Sequence, residues 1–433
     1  MSLPLKAEEN IQAENKKLTR QEIKIFSLSA IGGSLEFYDF VVYIYFASIM
    51  SNLFFQTNSP VTGLILSYSV FASGYFARLL GGIVFSHFGD KKGRKNSFAL
   101  TVFLMALPTF IIGCLPTYSQ IGIFAPILLV LCRFIQGLAI GGEIPCSLTF
   151  IYEHAQKSNR GLSCGALFCG VTFGTFLGSF VGFILTKFMH EESLNSWGWR
   201  IPFLIGGVLG LIAVYLRGFL NETPVFKKMK NEVVKIPLKE VFQSHKLTII
   251  QTTTGLWVVA VAVSLFLLYL PNYLKTYYFF QSEDILRINS IAVLLYSILT
   301  LCFGIVCDKI GPKKVLNFSC ILFILFSYPV FLNFSQNNFL SIYLCYLLAS
   351  IATSAATASS MYLLIQSFPA KIRYSGASFS YNLAFAIFGG LTPLIVTSLI
   401  EKTGSTISPA YFIIFVSIIA LLFSLFKPYK QYD

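Results

Sequence analysis

The chain has 433 residues, of which 55% are hydrophobic, 16% aromatic and only 12% charged, and its mean hydropathy is +0.71. A soluble globular chain carries about a quarter charged residues, so this one lacks the polar surface to cover a soluble domain, and lipid must be its solvent. The formal net charge of +13, from 32 Lys and Arg against 19 Asp and Glu, then raises the question of where the cations lie.

The first 24 residues are polar and mixed in charge, carry no small-residue cleavage site, and read as a cytoplasmic lead-in rather than a cleaved signal. Apolar stretches long enough to cross a bilayer follow at 25–50, 61–85, 97–115, 122–146, 162–186, 201–220, 247–270, 288–307, 314–333, 339–364, 375–400 and 408–427. Twelve spans are expected. With the amino terminus inside, 25 of the 32 basic residues fall in inner loops and tails. Five lie in outer loops (Lys187, Arg200, Lys275, Arg287 and Lys402) and two, Arg78 and Arg133, lie within spans. This asymmetry places both termini in the cytoplasm, and the positive charge becomes a topology signal facing anionic lipid rather than a nucleic-acid patch.

The longest inner segment separates the sixth and seventh spans. The expected organisation is therefore a cytoplasmic segment 1–24, a six-helix bundle 25–220, a cytoplasmic linker 221–246, a second six-helix bundle 247–427 and a tail 428–433. An internal repeat supports the halves. GDKKGRK at 89–95 and CDKIGPKK at 307–314 align Asp90 with Asp308, Lys91 with Lys309, Gly93 with Gly311 and Lys95 with Lys313, and Arg160-Gly161 finds a looser echo in Arg373 and Gly376. Repeated halves related by an axis along the membrane normal are a transporter architecture, with the substrate site between them near the midplane.

Five ionisable residues lie within spans: Glu36 and Asp39 in the first, Arg78 in the second, Arg133 and Glu143 in the fourth. A charge facing lipid at mid-span costs about 2.5–3.5 kcal/mol even on lenient insertion scales, so these groups should face a cavity or one another. Glu36 and Asp39 share a helix face, with Tyr43 a turn further on, while Arg133, Gln136 and Glu143 follow a single helical stripe. The expected pairing joins Arg133 to an acid of the first span, Asp39 first. Such a pair can exchange a proton or a substrate for its ionic partner; the alternative is a static salt bridge that fixes helix packing. Glu143 and Arg78 lie close enough to span ends to snorkel, and Arg78 reads as structural. In the fifth span Gly170, Gly174, Gly178 and Gly182 recur every fourth residue, a packing surface for another helix.

Several chemistries lack their signatures. The chain has no GxxxxGK[ST] phosphate loop, no GxSxG and no HExxH, and its four histidines fall in loops or at span ends. The nine cysteines lie mostly in apolar runs without metal-ligand spacing. No cofactor, metal or enzymatic activity is expected, and energy must come from a gradient.

With twelve spans in two halves and GDKKGRK after the second, the chain resembles the major facilitator superfamily. GGSLEFYDFVVY (32–43), RLLGG (78–82), RFIQGLAIGGE (133–143), GWRIPF (198–203), LRGFLNETPVF (216–226), FPAKIRYSGASFSYN (368–382) and FGGLTPLI (388–395) resemble its metabolite:proton symporter branch, which includes proline/betaine, α-ketoglutarate and shikimate carriers. The chain departs from the family pattern at Ser86, where a glycine is usual, and at Leu79, where a proline usually follows the arginine. The resemblance implies an all-α membrane protein of the major facilitator fold, coupling through Glu36, Asp39 and Arg133, and an inner gate built on Asp90 and Arg94, extended by the repeat to Asp308 and Arg373.

The expected function is proton-coupled symport of a small polar metabolite by a monomer in a bacterial inner membrane. A proline- or betaine-like zwitterion comes first because aromatic faces attract quaternary ammonium groups and the first span is rich in rings. A mono- or dicarboxylate, with Arg133 as its clamp, is the alternative. Drug efflux by proton antiport and a non-transporting receptor are the rivals of other classes.

Overall fold

The computed structural model describes residues 19–57, 59–92, 94–217, 237–334, 339–370, 372–426, 429 and 431–432; within these, some helical side chains, including Glu36 and those from 86 to 99, lie outside the description. Helices make up nearly all of this range, joined by short turns and extended segments. The helical elements at the twelve expected spans, numbered in that order below, are Arg20–Tyr45 with Ala47–Phe54, Pro60–Lys92, Arg94–Cys114, Phe124–His154, Arg160–Phe188, Ile201–Arg217, Lys246–Tyr278, Ser282–Ile310, Pro312–Asn333, Phe339–Gln366, Arg373–Thr403 and Ser408–Phe426. Among the described residues nine of these elements are long and apolar enough to cross a membrane, the first is a bent pair, and the third and sixth carry shorter apolar helices. The helical elements overlap the twelve expected apolar stretches in order, and nine of them, or ten with the bent pair, have the length and hydropathy of a membrane span among the described residues.

Burial sorts the spans by position. Within its most apolar window the seventh span is 94% buried against 39% for the twelfth, so one runs through the protein interior while the other lies along its lipid-facing side. Small residues allow the closest packing. A Cβ on Gly170 would overlap the backbone of Ala30, and one on Gly174 that of Ser34, while Gly178 faces Val41 and Gly182 faces Leu286. The four-residue ladder thus seats the fifth span against the first and, at its far end, against the eighth. At the other end of the fifth span, Gly161 and Gly165 meet Gly304 of the eighth.

Prolines shape the interior. A proline has no N–H for the carbonyl four residues earlier and crowds it. Pro271 follows a π-helical stretch, Val263–Tyr269, in the seventh span, and Pro393 follows a second, Phe385–Gly389, in the eleventh. The carbonyls so released find other donors: Tyr45 Oη donates to Leu267 O at 3.1 Å and Ser264 Oγ to Gly389 O at 2.6 Å. Pro145 in the fourth span acts alike, leaving Gly141 O to accept from Asn382 Nδ2 at 2.7 Å. The first span bends by 62° after Tyr45, and near that break Ile44 O accepts from Asn272 Nδ2 at 2.7 Å.

Candidate functional site

The buried polar centre begins at Arg133. Its side chain is fully buried; Nη1 donates to Phe40 O at 3.1 Å and to Gln136 Oε1 at 3.0 Å, and the guanidinium lies over the rings of Phe40 (4.6 Å), Tyr43 (4.8 Å) and Phe71 (5.6 Å). Gln136 Nε2 passes the chain on to Thr109 Oγ1 at 2.6 Å in the third span. Tyr43 Oη bonds to Ser67 of the second span. The fourth-span stripe and the first span are therefore joined, as their spacing suggests.

The expected ion pair between Asp39 and Arg133 is not made. Asp39 is buried, but its carboxylate lies in a notch on the sixth span, where a Cβ on Gly206 would overlap Oδ1 and one on Gly210 would approach Oδ2 to 3.2 Å; Oδ1 has no hydrogen-bond partner. The reason is helical geometry. Consecutive residues point about 100° apart, and it is Phe40, not Asp39, that faces the fourth span and gives its carbonyl to Arg133. The Cγ2 of Thr109 borders the same Gly206 notch, so the Arg133–Gln136–Thr109 chain ends beside the carboxylate it does not touch. Glu36 lies in the first span, with its side chain outside the description. Glu143 does not snorkel: it is 3% exposed.

Arg78 corrects a second expectation. It does not snorkel; its side chain is wholly buried and surrounded by Tyr75 (5.1 Å), Tyr381 (5.3 Å), Phe385 (5.4 Å) and Phe40 (5.8 Å). Two of these rings belong to the eleventh span. Further along, Tyr68 of the second span meets Tyr269 of the seventh edge to face at 5.6 Å, and Thr397 Oγ1 donates to Tyr269 Oη at 3.0 Å. The middle of the protein is thus lined by rings from both ends of the sequence around two guanidinium groups.

The ends are closed by other contacts. At the end carrying the basic loops, the Asp308 carboxylate accepts from the Gly161 and Leu162 N–H groups at 2.6 and 2.8 Å, using the free donors of the fifth span's first turn. Arg373 pairs with Glu153 at 3.1 Å, and Tyr374 Oη donates to Gly142 O at 3.0 Å. Both second-repeat members of the expected gate, Asp308 and Arg373, therefore reach across to the first six spans, whereas the side chains of Asp90 and Arg94 lie outside the description. At the opposite end, Tyr45 and Asn272 join the first and seventh spans. Glu153, Asn382, Tyr381 and Phe385 were not singled out from sequence. Tyr381 and Phe385 sit four apart in a run with Asn382, a helical spacing that marks one face.

A helical membrane protein that surrounds a buried charged and aromatic centre, and whose early and late spans meet at both ends, is a solute transporter in architecture. Comparison with known proteins narrows the class. The family profile described as "Sugar (and other) transporter" matches residues 26–243, and that described as "Major Facilitator Superfamily" matches 282–432. A putative proline/betaine transporter of Staphylococcus aureus is 33% identical over 426 residues, covering 96% of this chain and 89% of its own. The proline/betaine transporter of Salmonella typhimurium is 30% identical over 413 residues, covering 92% and 82%. Among solved structures, the proton:xylose symporter XylE bound to 6-bromo-6-deoxy-D-glucose superposes with a TM-score of 0.77 at 17% identity, over 94% of each chain. The chain belongs to the major facilitator superfamily, in the branch that holds the proline/betaine transporters. It is a multi-pass membrane transporter, not an enzyme.

Proposed function

We propose that this protein is a proton-coupled symporter of a small zwitterion of the proline or betaine type, working as a monomer in a bacterial inner membrane with both termini in the cytoplasm. Residues 25–220 and 247–427 are read as two bundles that rock about the central site, with 221–246 as their linker. The names of the relatives support the substrate class. One observation in the protein itself carries the coupling: a buried carboxyl, Asp39, is held one residue away from the carbonyl that occupies Arg133. A buried carboxylate without a partner is costly in its charged form and much less so when protonated. Protonation of Asp39 therefore accompanies the conformation in which Arg133 bonds to Phe40 and Gln136. When Arg133 moves to Asp39, the proton is released, and the guanidinium leaves its aromatic seat.

Gln136 positions the guanidinium, Tyr43 forms one wall of that seat, and Glu143 lies a helical stripe further toward the basic end. Asp308 and Arg373 close that end, together with Asp90 and Arg94 of the loop after the second span. The tyrosine-rich centre suits an ammonium group, which is attracted to ring faces. Purified protein in liposomes tests the reading. With an acidic exterior, labelled proline or glycine betaine should accumulate, and a proton uncoupler should abolish accumulation. Accumulation that ignores the pH gradient contradicts coupling; accumulation of neither solute contradicts the substrate class.

A further inference from the structure

Arg78 is a buried cation with no carboxylate partner among the described residues. Its side chain is fully buried; the Tyr381 hydroxyl lies close enough to interact with the guanidinium, but none of Nε, Nη1 and Nη2 makes a well-formed hydrogen bond. Arg133 adds two more unused donors, Nε and Nη2, and both guanidinium groups lie against the ring of Phe40. Beside them, Tyr75 Oη is also buried and unpaired. Arg287 pairs with Asp284 and Arg373 with Glu153, whereas neither central arginine has a carboxylate of the described residues at ion-pair distance. Ring faces offset part of the cost of burying a cation, and the Tyr381 hydroxyl can engage only one part of a guanidinium that carries five N–H donors. A buried guanidinium with most of its donors unsatisfied is costly until an anion arrives, and a planar carboxylate can meet two of those donors at once.

We infer that Arg78 is a carboxylate-binding subsite, so that the transporter selects solutes by their carboxylate and not by their ammonium group alone. The inference deepens the zwitterion reading and rests on its placement of the substrate site, but not on the identity of the zwitterion. Arg78 comes from the second span and its rings from the first, second and eleventh. A carboxylate held there touches walls contributed by early and late spans together. Occupancy then bears directly on whether those spans stay closed around it.

Equilibrium binding to purified protein in nanodiscs, followed calorimetrically, distinguishes the possibilities. The probes are glycine betaine, choline, which keeps the trimethylammonium but lacks the carboxylate, and 3,3-dimethylbutyrate, which keeps the carboxylate and shape but lacks the positive charge. The expected order is glycine betaine, then 3,3-dimethylbutyrate, with choline at least about 30-fold weaker than glycine betaine, the loss typical of an unpaired buried charge. Arg78→Gln should weaken both carboxylates by a similar factor and leave choline unchanged, with Arg78→Lys intermediate. Choline binding within threefold of glycine betaine overturns the inference, as does undiminished glycine betaine binding by Arg78→Gln. The wild-type probe series decides the matter even where a variant does not fold. If glycine betaine and proline fail to bind while 2-oxoglutarate binds in an Arg78-dependent manner, the zwitterion reading falls and the carboxylate subsite stands. If glycine betaine binds and drives uptake independently of Arg78, the reverse holds. Binding of no carboxylate at all overturns the subsite.

Discussion

Arg373 at the basic end aside, every buried charged side chain among the described residues (Asp39, Arg78, Arg133 and Glu143) belongs to the first six spans. The last six contribute hydroxyls, amides and rings to the centre, together with both π-helical stretches. The first six spans hold the ions against a tightly packed frame, in which Gly137 of the fourth span touches Gly74 of the second and Gly174 of the fifth touches Ser34 of the first. In the seventh and eleventh spans the helical ladder is already broken by proline, and bending them costs fewer hydrogen bonds. Chemistry and movement are thus assigned to different parts of the chain, and they meet where Tyr381 and Phe385 cover Arg78.

Substitutions can break this division, beginning with the largest effects. Arg133→Gln removes one of the four buried charges of the first six spans and should lower driven uptake more than 100-fold, about 3 kcal/mol, with the protein still folded by size-exclusion chromatography; uptake near the wild-type level would show that Arg133 does not take part in the coupling. Gly174→Leu attacks the frame. Its side chain has no space against Ser34, and a loss of about 3 kcal/mol, read by thermal unfolding in detergent, is expected. Pro271→Ala restores an N–H to the seventh span and competes with Tyr45 for Leu267 O. It should slow transport several-fold while leaving the melting temperature equal or higher, because only movement is impaired.

The smallest effects compare the two ends. Tyr45→Phe removes one hydrogen bond from the end opposite the basic loops, and Glu153→Gln weakens one at the basic end, each worth about 1 kcal/mol. Spin-label distances across each end should widen in one variant where they do not in the other. Widening at both ends in either variant would mean that the closures do not act separately.

Much of the fold could be read from hydropathy alone, because lipid imposes the length of each apolar stretch. The glycine ladder was legible for a similar reason: a four-residue period of small side chains has few uses other than close helix contact. The site was only partly legible. Charge in an apolar run marked Asp39 and Arg133, but spacing along a helix does not say which neighbouring face looks inward, and Phe40 took the place given to Asp39. The position of Arg78 was not legible because its nearness to the basic loop suggested a span end; its cage depends on Tyr381 and Phe385, some 300 residues away in sequence. The π-helical stretches left only one trace in the sequence, the prolines that follow them.

The most direct test of Asp39 as the proton carrier separates driven accumulation from exchange. In liposomes containing Asp39→Asn, accumulation of glycine betaine under an acidic exterior should fall to background, while counterflow of labelled glycine betaine against unlabelled solute, which needs no net proton movement, should remain at half the wild-type rate or more. Gradient-driven accumulation equal to wild type in that variant would contradict the role of Asp39.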